Sequence, residues 1–267
     1  MTVIAVGSVA GAPGATRLAL GLVAVWPVAD RRRVLVEADP DGGRLGSELG
    51  IGVEPGLMAL ALAARTQPMT ADAVVGNSAA VADWHLVPAP SSAEQAHSAL
   101  VHGAPALAEV LAAGAWHERR PGAHAATDWF VDAGRLTTRS PALALAKVAD
   151  HVLIVTAGSF SSLGLMPHRV EALRAAGCHV EVVVVEPTPW SPAEISDFVG
   201  AEVLGLLPRV RTRRDGVVAM RSNAWRPWWN AVDTLADRLV VEAPDDLSDA
   251  TDVADDVGGE VRQRAKT

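Results

Sequence analysis

The sequence predicts an α/β fold, a mostly parallel, twisted sheet of about seven to eight strands with helices on both faces. Three observations predict it. Strand-like and helix-like runs alternate along the chain, which is typical of a parallel sheet covered on both sides. Several strand candidates are unbroken Val/Ile/Leu runs, as expected for strands buried on both faces. The first of them, at 3–9, leads through a loop of small residues into a helix-like pattern.

The individual elements follow from these patterns in chain order. The strand candidates are Val3–Val9, Val34–Ala38, His85–Pro88, Trp129–Asp132, His151–Thr156, Val180–Val185 and Val203–Leu207. The helix candidates are Thr16–Val25, Gly56–Arg65, Ala93–Val101, Ala104–Leu111, Pro141–Val148, Pro167–Ala176, Pro192–Phe198 and Trp228–Val240. Ser91 and Glu94 form a capping-box pattern before the third helix. With no sign of a second core, we predict one domain over 1–241 and a tail over 242–267.

The composition limits the class of protein. Of 267 residues, 49% are apolar, which is ample for a sizeable core. The tail carries eight acidic and three basic residues without apolar periodicity, so we expect it to be disordered and acidic. The apolar runs are too short to span a membrane, and the first residues indicate a strand rather than a signal peptide. The single cysteine, Cys178, is expected to be an inert core thiol. One cysteine and no predicted signal peptide or membrane span together predict a cytoplasmic protein.

The loop after the first strand has the outline of a phosphate-binding loop without its lysine. Small residues and two glycines precede Thr16, so backbone N–H groups and a helix N-terminus would face an anion. The usual motif places a lysine before the Ser/Thr, whereas this chain has Ala15. Lys147 lies in a helix-like stretch where we expect a solvated surface position. The candidate phosphate-binding residues are Gly11, Ala12, Pro13, Gly14, Ala15, Thr16 and Arg17.

Acidic residues end two further strands. Glu37 and Asp39 follow the strand at 34–38, and Asp132 ends the strand at 129–132. In open α/β sheets the carboxyl ends of the strands border the ligand crevice, where an Asp commonly holds Mg²⁺. Asp39 and Asp132 are therefore candidate Mg²⁺-binding or water-activating residues. The alternative is that both aspartates cap turns at strand ends.

These three segments, in this order, resemble the ParA/MinD family of P-loop ATPases. The family loop K-G-G-x-G-K-T-T aligns without a gap with residues 10–17, and its strand ending D-x-D-P is similar to Glu37–Pro40. VDAG at Val131–Gly134 is similar to the family strand that ends in Asp before a small-residue turn, and the resemblance spans about residues 2–240. The resemblance implies that Thr16, Asp39 and Asp132 would hold Mg²⁺ and that Asp39 would be the catalytic residue of an active site. Within the family, the EADPDGG segment looks most like the actinobacterial CpaE/TadZ-type MinD-like proteins.

The departures from the family pattern imply a degenerate site. Ala10 stands where the family has the lysine that reaches across an ATP-bridged dimer, and Ala15 where it has the lysine on the β- and γ-phosphates. Glu186 stands where the family usually has an Asn that reads adenine. Charge-assisted contacts of the lost kind are worth about 1.5–3 kcal/mol each. We therefore expect weak affinity for ATP and Mg²⁺ and negligible hydrolysis, with Arg17 either a substitute cation or a surface ion-pair partner.

The resemblance implies a function in positioning or assembly rather than catalysis. It suggests a homodimer that works with pilus or secretion machinery, the partner being an assembly ATPase or a polar scaffold. Recruitment to the membrane or cell pole would run through that partner, because the tail lacks an amphipathic face for direct insertion. The alternatives are an active MinD-like ATPase and a dinucleotide-binding Rossmann enzyme in which Glu37 would bind ribose. The absence of tyrosine excludes the Tyr/Lys pair of short-chain dehydrogenases.

Three further patterns were interpreted in terms of structure or surface chemistry. The segment at 209–226 contains six arginines and a single acidic residue, Asp215. It is interpreted as a patch that contacts DNA or phosphate, as a solvated loop, or as a docking site for the acidic tail, and DNA binding is not favoured. Trp225, Trp228 and Trp229 indicate a packed last helix in preference to a partner-binding face. The eight histidines show no metal-ligand spacing, so no zinc site is predicted. The arginines are Arg209, Arg211, Arg213, Arg214, Arg221 and Arg226.

Overall fold

The computed structural model describes residues 1–9, 14–117, 126–210, 220 and 223–241. An eight-stranded sheet confirms the predicted α/β class. The strands are β1 (Val3–Ser8), β2 (Arg32–Glu37), β3 (Ala79–Val81), β4 (Trp84–Val87), β5 (Thr127–Arg135), β6 (His151–Ala157), β7 (Val180–Val185) and β8 (Val203–Leu207). The helices in these ranges are α1 (Ala15–Val25), α2 (Leu45–Leu49), α3 (Leu57–Ala63), α4 (Ala71–Gly76), α5 (Ala93–His117), α6 (Leu143–Ala146), α7 (Phe160–Leu163), α8 (Met166–Ala175), α9 (Pro192–Val199) and α10 (Arg226–Val241).

The order of the strands brings the three sequence motifs together. The sheet runs β3-β4-β2-β5-β1-β6-β7-β8, and β3 pairs antiparallel with β4 while the other pairs are parallel. β5 lies between β1 and β2, with Asp132 paired to Val6 on one side and to Glu37 on the other. Since parallel strands end at the same edge, the end of β1, the start of α1 and the acids of the second and third motifs meet there.

Two apolar layers cover the sheet because side chains alternate between its faces. Helices α1 and α10 pack on one face, against side chains such as Ile4, Phe130 and Leu153. Helices including α3, α5 and α8 pack on the other face, against side chains such as Val131 and Ile154. The core therefore supports the central strands from both sides.

The tryptophans of the last helix confirm the packing interpretation. Trp225 and Trp228 are buried in the layer of α1 and α10, and Trp228 makes edge-to-face contacts with both Trp225 and Trp229. The Trp228 ring lies over Gly21 of α1, where an added Cβ would be 2.6 Å from Cη2. The two helices thus approach closely at a position where one of them has no side chain.

Several elements differ from their predicted bounds. The two helices predicted at 93–101 and 104–111 form the single helix α5, which runs through Pro105. Gly103 lets this helix approach α3, because an added Cβ would lie 3.2 Å from Ala61. The helix cap is Ser92 rather than Ser91, since its Oγ accepts a hydrogen bond from the Gln95 N–H at 3.3 Å.

The elements that the sequence did not predict are short. β3, α2, α4 and α7 contain three, five, six and four residues, too few to show a period in the sequence. Helix α6 keeps only Leu143–Ala146 of the predicted Pro141–Val148, while β5 begins two residues before the predicted strand and ends three after it. These changes leave the order of the larger elements as predicted.

Two single residues and one global property complete the comparison. Cys178 is buried, as predicted, and burial raises the pKa of its thiol. Lys147 is exposed, as predicted. Among the residues that the structure describes, no helix is long and apolar enough to cross a membrane. The tail at 242–267 and the predicted domain boundary lie outside the described residues.

Candidate functional site

A cavity of about 320 Å³ opens at the carboxyl edge of the sheet, where β1, β2 and β5 end. Five segments line it: the end of β1, the first turns of α1, the loop after β2, helix α2 and the end of β5. Among the lining residues, those with polar or charged groups relevant to a ligand are Thr16, Arg17, Asp39, Asp41, Arg44, Glu48 and Arg135. The structure therefore places five of the predicted site residues around one space: Gly14, Ala15, Thr16, Arg17 and Asp39.

The start of α1 supplies the anion-facing end of this cavity. Helix α1 begins at Ala15, and its N-cap is Gly14, which has no side chain to accept hydrogen bonds from the first-turn N–H groups. Gly14 has a φ of 121°, a conformation that glycine adopts without a Cβ clash. Ala15 is 6% exposed and belongs to the apolar layer of α1 and α10. The other predicted loop residues, Ala10, Gly11, Ala12 and Pro13, lie outside the described residues.

Asp132 is buried at the end of β5, behind the cavity lining. Its Oδ1 accepts a hydrogen bond from the Gly134 N–H at 3.3 Å, and its Oδ2 has no hydrogen-bond partner within the described part of the chain. Burial raises the pKa of Asp132 to about 7, the negative charges of Asp39 and Glu37 raise it further, and the Thr16 hydroxyl and the Gly134 N–H oppose the rise. A buried carboxylate oxygen in such surroundings fits an oxygen-preferring divalent cation.

Asp39 lies half-buried at the cavity wall, on the loop after β2. Its Oδ1 accepts a hydrogen bond from the Asp41 N–H at 2.9 Å, which fixes the turn that follows. Burial raises the pKa of Asp39, and the charge of Asp41 adds to the rise, whereas the guanidinium groups of Arg44 and Arg135 lower it. Asp39 therefore caps a turn and also lines the cavity, while its role as a Mg²⁺ ligand or catalytic residue stays a prediction.

Glu37 holds the loop after β2 in place. Its carboxylate is 1% exposed; Oε1 accepts hydrogen bonds from the N–H groups of Arg44 at 2.6 Å and Leu45 at 2.8 Å, and Oε2 from that of Ala89 at 3.0 Å. Gly43 passes so close that an added Cβ would be 2.4 Å from Oε2. Both oxygens are engaged inside the protein, which removes the ribose-binding residue that the Rossmann alternative required.

Among the described residues that line the cavity are three arginines, and the sequence pattern predicts a site role only for Arg17. The Arg17 guanidinium lies over the Trp225 ring, 5.6 Å from its centroid, in a cation–π contact that tests neither of its two predicted roles. Arg44 and Arg135 flank Asp39, and the sequence signal for both was their position directly after a glycine of a motif, in GGR and AGR. Two of these basic groups, Arg44 and Arg135, thus come from the acidic motifs, and the third, Arg17, comes from the first turn of α1.

Lys147 cannot replace the missing lysine. It precedes Asp150, whose backbone N–H donates to the Val3 carbonyl at the start of β1. Its Cε is also 4.0 Å from a Cβ added at Gly177, just before β7. Lys147 therefore lies at the amino edge of the sheet, opposite the cavity. Glu186, by contrast, follows β7 at the carboxyl edge and is half-buried.

No protein-family model matches the sequence, and no curated protein matches it either. Solved structures do match. The chain is similar to a ParA family ATPase from Chlorobium tepidum TLS, with a TM-score of 0.65 and 15% identity over 90% of this chain and 97% of that chain. It is similar to the septum site-determining protein MinD complexed with Mg-ADP from Pyrococcus horikoshii OT3 (TM-score 0.64, 16% identity, 89% and 95% covered). It is also similar to the MinC:MinD cell division protein complex of Aquifex aeolicus, with a TM-score of 0.63 and 16% identity over 91% of this chain and 97% of that chain.

The chain has the ParA/MinD fold. This confirms the predicted resemblance at the level of architecture, over about 90% of the chain. On this ParA/MinD sheet, the described cavity keeps oxygen donors from Thr16, Asp39 and the underlying Asp132, and it has an alanine at the first position of α1.

Of the predicted arginine patch, Arg209 and Arg226 are exposed, while Arg211, Arg213, Arg214 and Arg221 lie outside the described residues.

Proposed function

We propose that this ParA/MinD-fold chain is a positioning or assembly factor that binds Mg-ATP weakly and does not hydrolyse it. The observation that carries the proposal is Ala15 at the first position of α1, with Lys147 at the opposite edge of the sheet. A phosphoryl-transfer site needs cations against the charge that develops on the phosphate oxygens. Arg44 and Arg135 stand beside Asp39, so part of their charge is already balanced by a carboxylate.

The residues present fit a magnesium ion better than they fit a triphosphate. Thr16, Asp39 and Asp132 offer hydroxyl and carboxylate oxygens, the donors that Mg²⁺ prefers, and Asp132 Oδ2 has no hydrogen-bond partner among the described residues. These three side chains would hold the ion, and bound Mg²⁺ would neutralise charge on phosphate oxygens. Asp39 would orient water at the cavity wall, and Gly14 would leave backbone N–H groups facing an anion.

Turnover and binding assays test the proposal directly. We expect wild type and Asp39→Ala to give the same background rate of phosphate release with Mg-ATP, and calorimetry to show no micromolar affinity. Ala15→Lys restores a cation at the first position of α1 and should tighten Mg-ATP binding at least about tenfold, whereas Ala15→Met adds length without charge and should not. Magnesium-dependent hydrolysis by wild type that Asp39→Ala abolishes would overturn the proposal.

Protein contact is the second part of the proposal. The MinD of Aquifex aeolicus is seen in a complex with MinC, and the present chain exposes large apolar side chains that such contacts cover. Phe160, Leu165 and Phe198 are 72%, 52% and 50% exposed, and Phe160 lies beside the Trp190 ring. We propose two partners: a second copy of the chain, and either an assembly ATPase of pilus or secretion machinery or a polar scaffold. The assembly ATPase or scaffold would recruit the chain from the cytoplasm to the membrane or cell pole. Light scattering tests the homodimer, and imaging of a fluorescent fusion tests the recruitment.

An active MinD-like ATPase is the alternative function, and three arginines in the cavity favour it. If Arg17, Arg44 or Arg135 turned toward a bound triphosphate, it would supply the charge that Ala15 lacks. The turnover assay separates the two functions, because only the alternative predicts hydrolysis that depends on Asp39. The CpaE/TadZ-type assignment remains part of the proposal, and adjacent pilus-assembly genes would support it.

A further inference from the structure

Three side chains with metal-ligating atoms meet at the amino edge of the sheet, opposite the cavity. His151 is the first residue of β6, Glu181 is the second residue of β7, and His179 directly precedes β7. One ligand atom from each lies within 4.8 Å of the other two. No motif described above includes these residues, and the cluster is independent of the function proposed for the cavity.

The register of β6 and β7 produces this cluster. Val152 pairs with Val180 and Leu153 with Glu181, so His151 and His179 each stand one residue before a paired valine. Side chains two residues apart on a strand share a face, so His151 lies on the face of Leu153 and His179 on the face of Glu181. Because Leu153 and Glu181 are paired, their side chains lie on the same face of the sheet, and so do the two histidines. The two imidazole rings accordingly lie with their centroids 5.8 Å apart.

The burial of two of these groups is unusual for their chemistry. His151 and Glu181 are each 3% exposed, and Glu181 is the single charged residue in the otherwise all-valine strand β7. Charged side chains are rarely buried to this extent unless they are paired or coordinate a metal. Nδ1 of His151 lies 2.9 Å from Oε2 of Glu181, so the carboxylate and the imidazole already share one edge of the cluster.

The third residue is oriented and open to solvent. Nδ1 of His179 lies 2.8 Å from the carbonyl oxygen of Asp150, and because a carbonyl only accepts, this nitrogen carries the proton and donates. The lone pair of this imidazole is therefore on Nε2. An imidazole N–H bound to a backbone carbonyl is the arrangement that orients metal-ligating histidines. His179 is exposed, so an ion has a route from solvent to the buried pair.

We propose that His151, His179 and Glu181 form a binding site for a divalent transition-metal ion of the zinc class. Two imidazoles and a carboxylate are a donor set for Zn²⁺ or a similar ion, whereas Mg²⁺ and Ca²⁺ prefer oxygen donors throughout. Ligand atoms on a tetrahedral Zn²⁺ are about 3.3 Å apart, given metal–ligand distances of about 2.0–2.1 Å. A small movement of the exposed His179 ring closes the present cluster to that size, with water as the fourth ligand. The bound ion would tie the start of β6 to the start of β7.

Metal titration of the full-length, tag-free protein tests the site. After treatment with a chelator, wild type should take up one Zn²⁺ per chain in competition with a chromophoric indicator, and Co²⁺ should give visible absorption bands of a tetrahedral site. Mg²⁺ at the same concentration should give neither effect at this cluster. Bound Zn²⁺ should also raise the thermal midpoint, because the ion binds the folded chain.

Matched variants decide whether these residues are the ligands. His179→Gln changes an exposed residue and should weaken Zn²⁺ binding at least about tenfold, as should the near-isosteric Glu181→Gln. His168→Gln alters an exposed histidine of α8 outside the cluster and should bind as wild type does. Asp39→Asn should leave the Zn²⁺ affinity unchanged, which separates this site from the cavity acids. Wild type without stoichiometric Zn²⁺ uptake, or equal uptake by folded His179→Gln, would overturn the proposal.

Discussion

The carboxylate of Asp39 lies directly over the backbone of Gly134, so that a Cβ added at residue 134 would be 2.1 Å from Asp39 Cγ. Gly134 also has a φ of +55°, in the left-handed region. The glycine at the end of β5 thus lets the loop after β2 close against it. This contact joins the second and third sequence motifs at the cavity.

Gly134→Ala should therefore both destabilise the protein and displace Asp39. A left-handed φ alone costs an alanine about 1–2 kcal/mol, and the overlap with Asp39 adds to that cost. Gly200→Ala is the matched control, because Gly200 has a φ of +70° with no atom within 4 Å of an added Cβ. Urea unfolding should show a larger loss for Gly134→Ala than for Gly200→Ala. Equal losses would mean that the Asp39 carboxylate moves away from the added Cβ without any loss of unfolding free energy.

The buried Asp132 should make stability depend on pH. Its pKa is raised from 3.8 to about 7 in the folded protein, mainly by burial, so between these values the folded state binds more protons than the unfolded state. This contribution to the free energy of unfolding is full below about pH 4 and is lost as the pH rises through about 7. The loss amounts to at most about 4 kcal/mol.

Asp132→Asn removes the titration and isolates this effect. From pH 4 to pH 8, wild type should lose up to about 4 kcal/mol of unfolding free energy relative to Asp132→Asn, because the variant has no carboxyl group to titrate at this position. Urea unfolding of both proteins across this range measures it. A difference that is the same at pH 4 and pH 8 would contradict a raised pKa at Asp132.

The fold and the acidic part of the site could be predicted because their signals are local. Buried parallel strands are continuous apolar runs, and Asp39 and Asp132 follow such runs directly, so their common edge follows from strand direction. The role of Glu37 could not be predicted in this way. One of its three hydrogen bonds comes from Ala89, 52 residues away in the sequence, and only the folded β2–β4 pair brings the two together.

The histidine cluster shows the same limit more clearly. Spacing rules for metal sites apply to ligands on one turn, helix or hairpin, whereas His151 and Glu181 are 30 residues apart on neighbouring parallel strands. The expectation of no zinc site came from that spacing alone. Strand register, which the sequence did not specify, is what places His179 beside them.

Removing the Glu37 carboxylate should loosen the loop after β2. Glu37→Ala leaves three backbone N–H groups, two of them buried, without their acceptor, and hydrogen bonds to a charged group contribute about 1.5–3 kcal/mol each. We expect the free energy of unfolding to fall by about 3 kcal/mol or more. Amide hydrogen exchange should become faster at Arg44, Leu45 and Ala89.

An exposed glutamate provides the control for this substitution. Glu109 lies on the solvent side of α5, and Glu109→Ala should change stability by no more than about 0.5 kcal/mol. Unchanged exchange at the Ala89 amide in Glu37→Ala would show that another group accepts that hydrogen bond.

The close approach of α1 and α10 at Gly21 reverses the usual effect of a helix glycine. Replacing a glycine inside a helix by alanine normally stabilises it by about 0.5–1 kcal/mol, which we expect for Gly76→Ala in α4, where no atom lies within 4 Å of the added Cβ. At Gly21 the added Cβ would be 2.6 Å from Trp228 Cη2 and 3.2 Å from Val232 Cγ1. Overpacking of this kind costs about 1–3 kcal/mol, so Gly21→Ala should be destabilising. Combined with Trp228→Ala, which empties the space, Gly21→Ala should cost less than it does alone, and additive losses in urea unfolding would show that Trp228 is not the source of the strain.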